Sequence, residues 1–137
     1  MKFAQGIAED GIRHVFEYLN GKHFLIEGYS DINDIIREGF ENIKKTEYKA
    51  KIKFLPSVSP EKIFLPAVNF KSHSMESDTK HPVKPYFFTK FRNALTSTES
   101  QILKPRGIEK LDYEGEIGII IGKRGKYIQK SEAMNYV

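Results

Sequence analysis

Leu111-Asp112-Tyr113-Glu114-Gly115-Glu116-Ile117-Gly118-Ile119-Ile120-Ile121 is the stretch from which the rest of the chain is read. Side chains along a β-strand alternate between two faces, so a strand over residues 114–121 is expected to carry Glu114 and Glu116 on one side. Ile117, Ile119 and Ile121 would then form the other side and anchor it in a core. The two glutamate Cα atoms would lie roughly 6.5 Å apart along such a strand. Like charges at that spacing repel each other, and a hard divalent cation removes the conflict, because Mg²⁺ and Ca²⁺ prefer carboxylate oxygens. A stiff apolar backing is what a metal site needs from its scaffold. The Glu-x-Glu spacing alone equally describes a half-exposed strand with two solvated glutamates. Its neighbours have to decide.

Downstream, Gly122-Lys123-Arg124-Gly125 reads as a turn, and Ser131 is expected to cap a final helix. The run Gly118 to Arg124 is not a phosphate loop. Its glycines are too closely spaced, and Arg124 stands where Ser or Thr would bind Mg²⁺.

Upstream, Phe87-Phe88-Thr89-Lys90-Phe91 has strand character. Lys90 could meet an anionic group or could be an ordinary exposed lysine. Residues 71–85 read as a long polar loop, and long loops in compact domains are often functional lids; Asn69-Phe70-Lys71-Ser72-His73-Ser74-Met75-Glu76 leads into it. On one helical turn His73 and Glu76 share a face, so Glu76 could orient the imidazole for proton transfer. The alternative is a surface histidine in a polar loop. His14, His23 and His81 show no comparable neighbour and read as surface or structural residues. Ile63-Phe64-Leu65-Pro66-Ala67-Val68 reads as a short buried strand, and Pro66 restricts it to an edge or a bulge.

Residues 1–55 read as a small leading α/β unit, divided from residues 56–137 by the connector Leu55-Pro56-Ser57-Val58-Ser59-Pro60. In the leading unit, Asn20-Gly21 between two apolar runs predicts a tight hairpin. Asp31 is expected to cap a helix through Ile32, Ile35, Ile36, Phe40 and Ile43, with Lys44 and Lys45 in its last turn.

The bulk properties narrow the classes. The chain has 137 residues, 39% hydrophobic and 29% charged, which reads as one globular chain rather than a disordered one. It lacks the roughly 18 consecutive apolar residues of a membrane helix and shows no secretory leader. It has no cysteine, so disulfides, thiolate zinc sites and a cysteine nucleophile are excluded, and a cytoplasmic location is expected. The net charge of +4 comes from dispersed lysines and arginines. No aromatic-basic platform accompanies it, which argues against nucleic acid, and a small anionic substrate would also suit it.

The order of these segments resembles the fumarylacetoacetate hydrolase family. Residues 62–76 resemble its strand leading into an Asn-aromatic-x-x-His-x-x-Glu lid. Pro85-Tyr86-Phe87-Phe88-Thr89-Lys90 resembles its Pro-x-x-Phe-x-Lys segment. Residues 111–123 resemble its Asp-Tyr-Glu-x-Glu-Leu metal strand, and residues 131–137 the helix start that follows. The resemblance implies an α+β, mainly β architecture: a mixed β-sandwich roll preceded by the small α/β unit. It also implies Mg²⁺ (or Mn²⁺ or Ca²⁺) on Glu114 and Glu116, an acid/base pair of His73 and Glu76, and Lys90 neutralising substrate charge. The implied substrate is a 2-oxo acid or diketo acid. The leading expected reaction is hydrolysis of a carbon–carbon bond in an acylpyruvate, with isomerase, decarboxylase and dehydratase chemistry as alternatives. A homodimer is implied too. A non-catalytic binding scaffold is a further alternative. Three departures bear on the substrate: Ala67 in place of a usual glycine, Phe70 in place of the commoner tyrosine, and Ser97-Thr98-Glu99-Ser100 in place of a turn rich in glycine and proline. In the family a third acidic ligand lies beyond the point matching Val137, so the chain is expected to be a piece of a longer protein and not a competent enzyme alone.

Overall fold

The structure is a computed structural model describing residues 1–76 and 78–137. Seven strands and two α-helices are found among the described residues. The first five strands form one sheet: β1 (Lys2–Ile7), β2 (Arg13–Leu19), β3 (Lys22–Ile26), β4 (Lys45–Tyr48) and β5 (Lys53–Phe54), in the order β4-β3-β2-β1-β5. The remaining two, β6 (Ile63–Pro66) and β7 (Phe87–Lys90), pair with each other. Every ladder among the described residues is antiparallel. No helix is long and apolar enough to cross a membrane among these residues.

The β2–β3 hairpin closes at the expected dipeptide. Leu19 pairs with Lys22, and Asn20 and Gly21 take φ of 51° and 81°, the positive pair that a two-residue turn of matching twist requires. Gly6 in β1 is needed for a different reason. A Cβ there would sit 2.3 Å from Ile52 Cγ2 and 3.1 Å from the Lys53 carbonyl oxygen, so only glycine lets the β5 segment approach.

Helix α1 (Ile32–Glu38) starts as expected, with the Asp31 carboxylate accepting from the Asn33 amide at 2.9 Å. It ends earlier than expected. Gly39 takes φ 96° and its N–H closes on the Ile35 carbonyl. Phe40 and Ile43 therefore lie beyond the helix, and Lys45 belongs to β4, paired with Ile26. The periodicity did report burial: Ile43 still packs on the core of Val15, Ile26, Ile32 and Ile35, and Phe40 stacks on Phe3. A second buried cluster, Ala8, Phe16 and Ile52, is extended by Leu25, Tyr48 and Phe54.

The proline-marked connector is fastened to the first sheet. Gln5, fully buried, donates to the Pro56 carbonyl at 2.9 Å. Arg13 donates to Ser59 Oγ at 2.6 Å, Asn33 Nδ2 donates to the Ser59 carbonyl at 2.6 Å, and Val58 packs on the first core. From there the chain enters β6, which ends at Pro66 opposite Phe87. Both strands of this ribbon are edges, a position that tolerates a proline.

Two expectations fail in the last third. Residues 114–121 form no ladder among the described residues. A strand persists only against a partner edge, and none of the described segments supplies one. Ile117, Ile119 and Ile121 are accordingly 81%, 66% and 67% exposed instead of anchored in a core. Ser131 does not cap an α-helix. It lies inside a 3-10 helix, Lys130–Tyr136, whose N-cap is Gln129 without a side-chain cap. This helix turns back on the preceding segment, with the Gly122 amide donating to the Tyr136 carbonyl at 2.8 Å.

Candidate active site: a carboxylate cavity against a two-stranded ribbon

An open cavity of about 470 Å³ is lined by Leu65, Lys90, Asp112, Glu114 and Glu116. Leu65 and Lys90 come from the β6–β7 ribbon, where Ile63 faces Lys90 and Leu65 faces Phe88, so Leu65 and Lys90 share a face. The three carboxylates come from alternate positions of the segment that follows. Glu114, Glu116 and Lys90, distant in sequence, are thus brought to one space.

Asp112 is the residue that the sequence reading passed over. The signal was present: it stands two residues before Glu114, as Glu114 stands two before Glu116. Its Oδ1 accepts from the Tyr113 amide at 2.8 Å, folding the side chain back on its own backbone. No ion pair joins Lys90 to any of the three carboxylates among the described residues.

The donor set suits a hard divalent cation in chemistry, since it offers carboxylate oxygens and no sulfur or imidazole. Three acidic or histidine side chains do not gather around one point among the described residues. A pair is nonetheless a sufficient protein contribution for Mg²⁺, which keeps several waters and takes one or two carboxylates.

His73 and Glu76 are elsewhere. They lie three residues apart on α2 (Lys71–Glu76), exposed, and do not line the cavity. The helix is pinned from its inner side: Ser74 is buried, and its hydroxyl is 3.1 Å from His81 Nδ1. His81, read from sequence as lacking a neighbour, therefore has one. So does His14, whose Nε2 is 2.8 Å from Asp10 Oδ2. Pro66 and Lys71 are five residues apart, so α2 starts within about 18 Å of the end of the strand that carries Leu65.

A second groove, of about 530 Å³, adjoins the ribbon. Phe64, Phe91, Lys62 and Arg92 line it, and Lys90 lines both spaces.

Known proteins resemble this chain in sequence and in fold. The family described as fumarylacetoacetate (FAA) hydrolase C-terminal matches residues 62–137. A mitochondrial oxaloacetate tautomerase of Bos taurus is 30% identical over 115 residues, covering 83% of this chain and 36% of the relative. A fumarylacetoacetate hydrolase domain-containing protein of Dictyostelium discoideum is 36% identical over 80 residues, 58% of this chain and 26% of the relative. The chain thus spans about a third of the length of the curated relatives it matches. Among solved structures, a fumarylacetoacetate hydrolase from the psychrophile Exiguobacterium antarcticum superposes with a TM-score of 0.75 at 21% identity, covering 99% of this chain and 52% of that one. That likeness shows a shared, mainly β fold, and the match over residues 62–137 shows that the chain belongs to the fumarylacetoacetate hydrolase family.

Proposed function

We propose that the protein containing this chain is a divalent-cation-dependent enzyme acting on a 2-oxo acid, with Glu114 and Glu116 as cation ligands. The observation that carries the reading is the convergence of Glu114, Glu116 and Lys90 on one cavity. When bound, a cation such as Mg²⁺ or Mn²⁺ supplies Lewis acidity to the carboxylate and 2-oxo oxygens of the substrate. Lys90 faces the same space and offsets the charge of the substrate carboxylate. His73 and Glu76 are the acid/base pair: Glu76 orients the imidazole, and the imidazole takes or returns the proton at the carbon beside the 2-oxo group. This role requires α2 to close over the cavity, and the short link from Pro66 keeps it within reach.

Two reactions share that proton transfer. Hydrolysis of a carbon–carbon bond in an acylpyruvate or diketo acid is the one the motifs suggest. Keto–enol tautomerisation of oxaloacetate is favoured by the likeness to the bovine oxaloacetate tautomerase. A homodimer, implied by the resemblance, and a cytoplasmic location, expected from the absence of cysteine, belong to the same proposal.

The test begins with the cation. Calorimetric titration of the whole protein with Mn²⁺ is expected to show binding that weakens at least tenfold in Glu114→Ala and in Glu116→Ala. Unchanged affinity in both variants rejects the ligand assignment. Assays of the whole protein on oxaloacetate and on an acylpyruvate then separate the two reactions. His73→Ala is expected to lower kcat by about a hundredfold or more on the true substrate.

A further inference from the structure

We infer that Asp112 tunes the carboxylate cavity by its charge, tightening the hold on a divalent cation and weakening the hold on an anionic substrate. The inference rests on the reading of Glu114 and Glu116 as cation ligands and adds to it a residue that touches neither cation nor substrate.

The lining side chains are three carboxylates and one ammonium, a formal charge of −2. That charge is not cancelled locally, because none of these groups joins an ion pair among the described residues. Asp112 is not a third ligand. Its carboxylate is turned to the Tyr113 amide, and no three acidic side chains close on one point among the described residues. It still lines the same space, and a fixed charge in a shared cavity acts through space on whatever ion enters. A negative charge favours a divalent cation and opposes a carboxylate. The two effects have opposite signs, which distinguishes this role from a structural one. Lys90 works in the reverse sense, so the pair sets how strongly the loaded cavity attracts an anion. Asp112 sits on an exposed segment with no neighbouring core residue, so removing its charge does not threaten the buried clusters.

The experiment uses the whole protein that contains this chain, with Mn²⁺ and oxalate as probes. In Asp112→Asn, the Kd for Mn²⁺ is expected to rise about threefold, well short of the loss in Glu114→Gln, while the Kd for oxalate at saturating Mn²⁺ falls by about the same factor. Asp112→Glu keeps the charge and is expected to restore both values. Weakening of both ligands in Asp112→Asn points to lost structure and overturns the inference, as does no change in either. Loss of Mn²⁺ binding as complete as in Glu114→Gln makes Asp112 a ligand and also overturns it. If Glu114→Gln and Glu116→Gln abolish Mn²⁺ binding while Asp112→Asn changes nothing, this inference falls alone. If the whole wild-type protein binds no Mn²⁺, the cation reading falls with it.

Discussion

Gln5 shows how one polar side chain organises a core. Its carbonyl oxygen accepts from the Ile32 amide at 3.0 Å and from Arg13 at 2.6 Å, while its amide nitrogen donates to the Pro56 carbonyl at 2.9 Å. One buried residue thus links β1, the start of α1 and the connector. Gln5→Leu keeps the apolar volume but strands the Ile32 N–H and the Pro56 carbonyl. The expected cost is about 2 kcal/mol, seen as a lower urea midpoint with an unchanged slope. Asp10 gives a pH-dependent counterpart. The Ile12 amide and then His14 bond its carboxylate, lowering its pKa from the ordinary 3.8. A carboxylate depressed in the folded state stabilises the fold at pH above its unfolded value, and that contribution fades as pH falls below about 3.8 through the folded value. Asp10→Asn is therefore expected to lower the Tm at pH 7 and to match the wild type near pH 2. A Tm difference that persists at pH 2 would assign the effect to the hydrogen bonds alone.

At the scale of elements, the legible parts were those with local chemical causes. Asn20-Gly21 specifies its own backbone angles, and Asp31 satisfies an amide two residues away, so both were readable from a few letters. Gly21→Val would force a β-branched side chain to φ 81°, and a loss of more than about 1 kcal/mol is expected in thermal unfolding. The end of α1 was misread because apolar spacing reports which residues reach the core, not the backbone that carries them. Phe40 and Ile43 reach it from a loop after Gly39 has stopped the helix. The segment 114–121 was misread for the opposite reason. Alternation states a preference for pairing, but a ladder also needs a partner, and none is present among the described residues. The candidate site was readable only in part. Glu114, Glu116 and Lys90 stand in motifs, whereas Leu65 is an ordinary apolar strand residue that becomes a wall only when β6 pairs with β7.

Over the whole molecule, stability is concentrated at one end and the candidate chemistry at the other. Both buried clusters lie on the five-stranded sheet and its helix. Beyond residue 61, Ser74 alone is buried among the described residues. Local opening is cheapest where few apolar contacts hold the chain, so amide exchange should divide sharply. Amides of β1, β2 and β3 are expected to exchange slowly, with free energies near that of global unfolding. Those of residues 114–121 are expected to exchange within seconds, since no ladder protects them. A cation that bridges Glu114 and Glu116 would restrain this segment, so Mn²⁺ should slow exchange at residues 112–116 while leaving β1–β3 unchanged. The Glu114→Ala variant should show no such response. Slowing that spreads equally over the five-stranded sheet would mean that Mn²⁺ stabilises the chain globally, against a cation held at the carboxylate cavity alone.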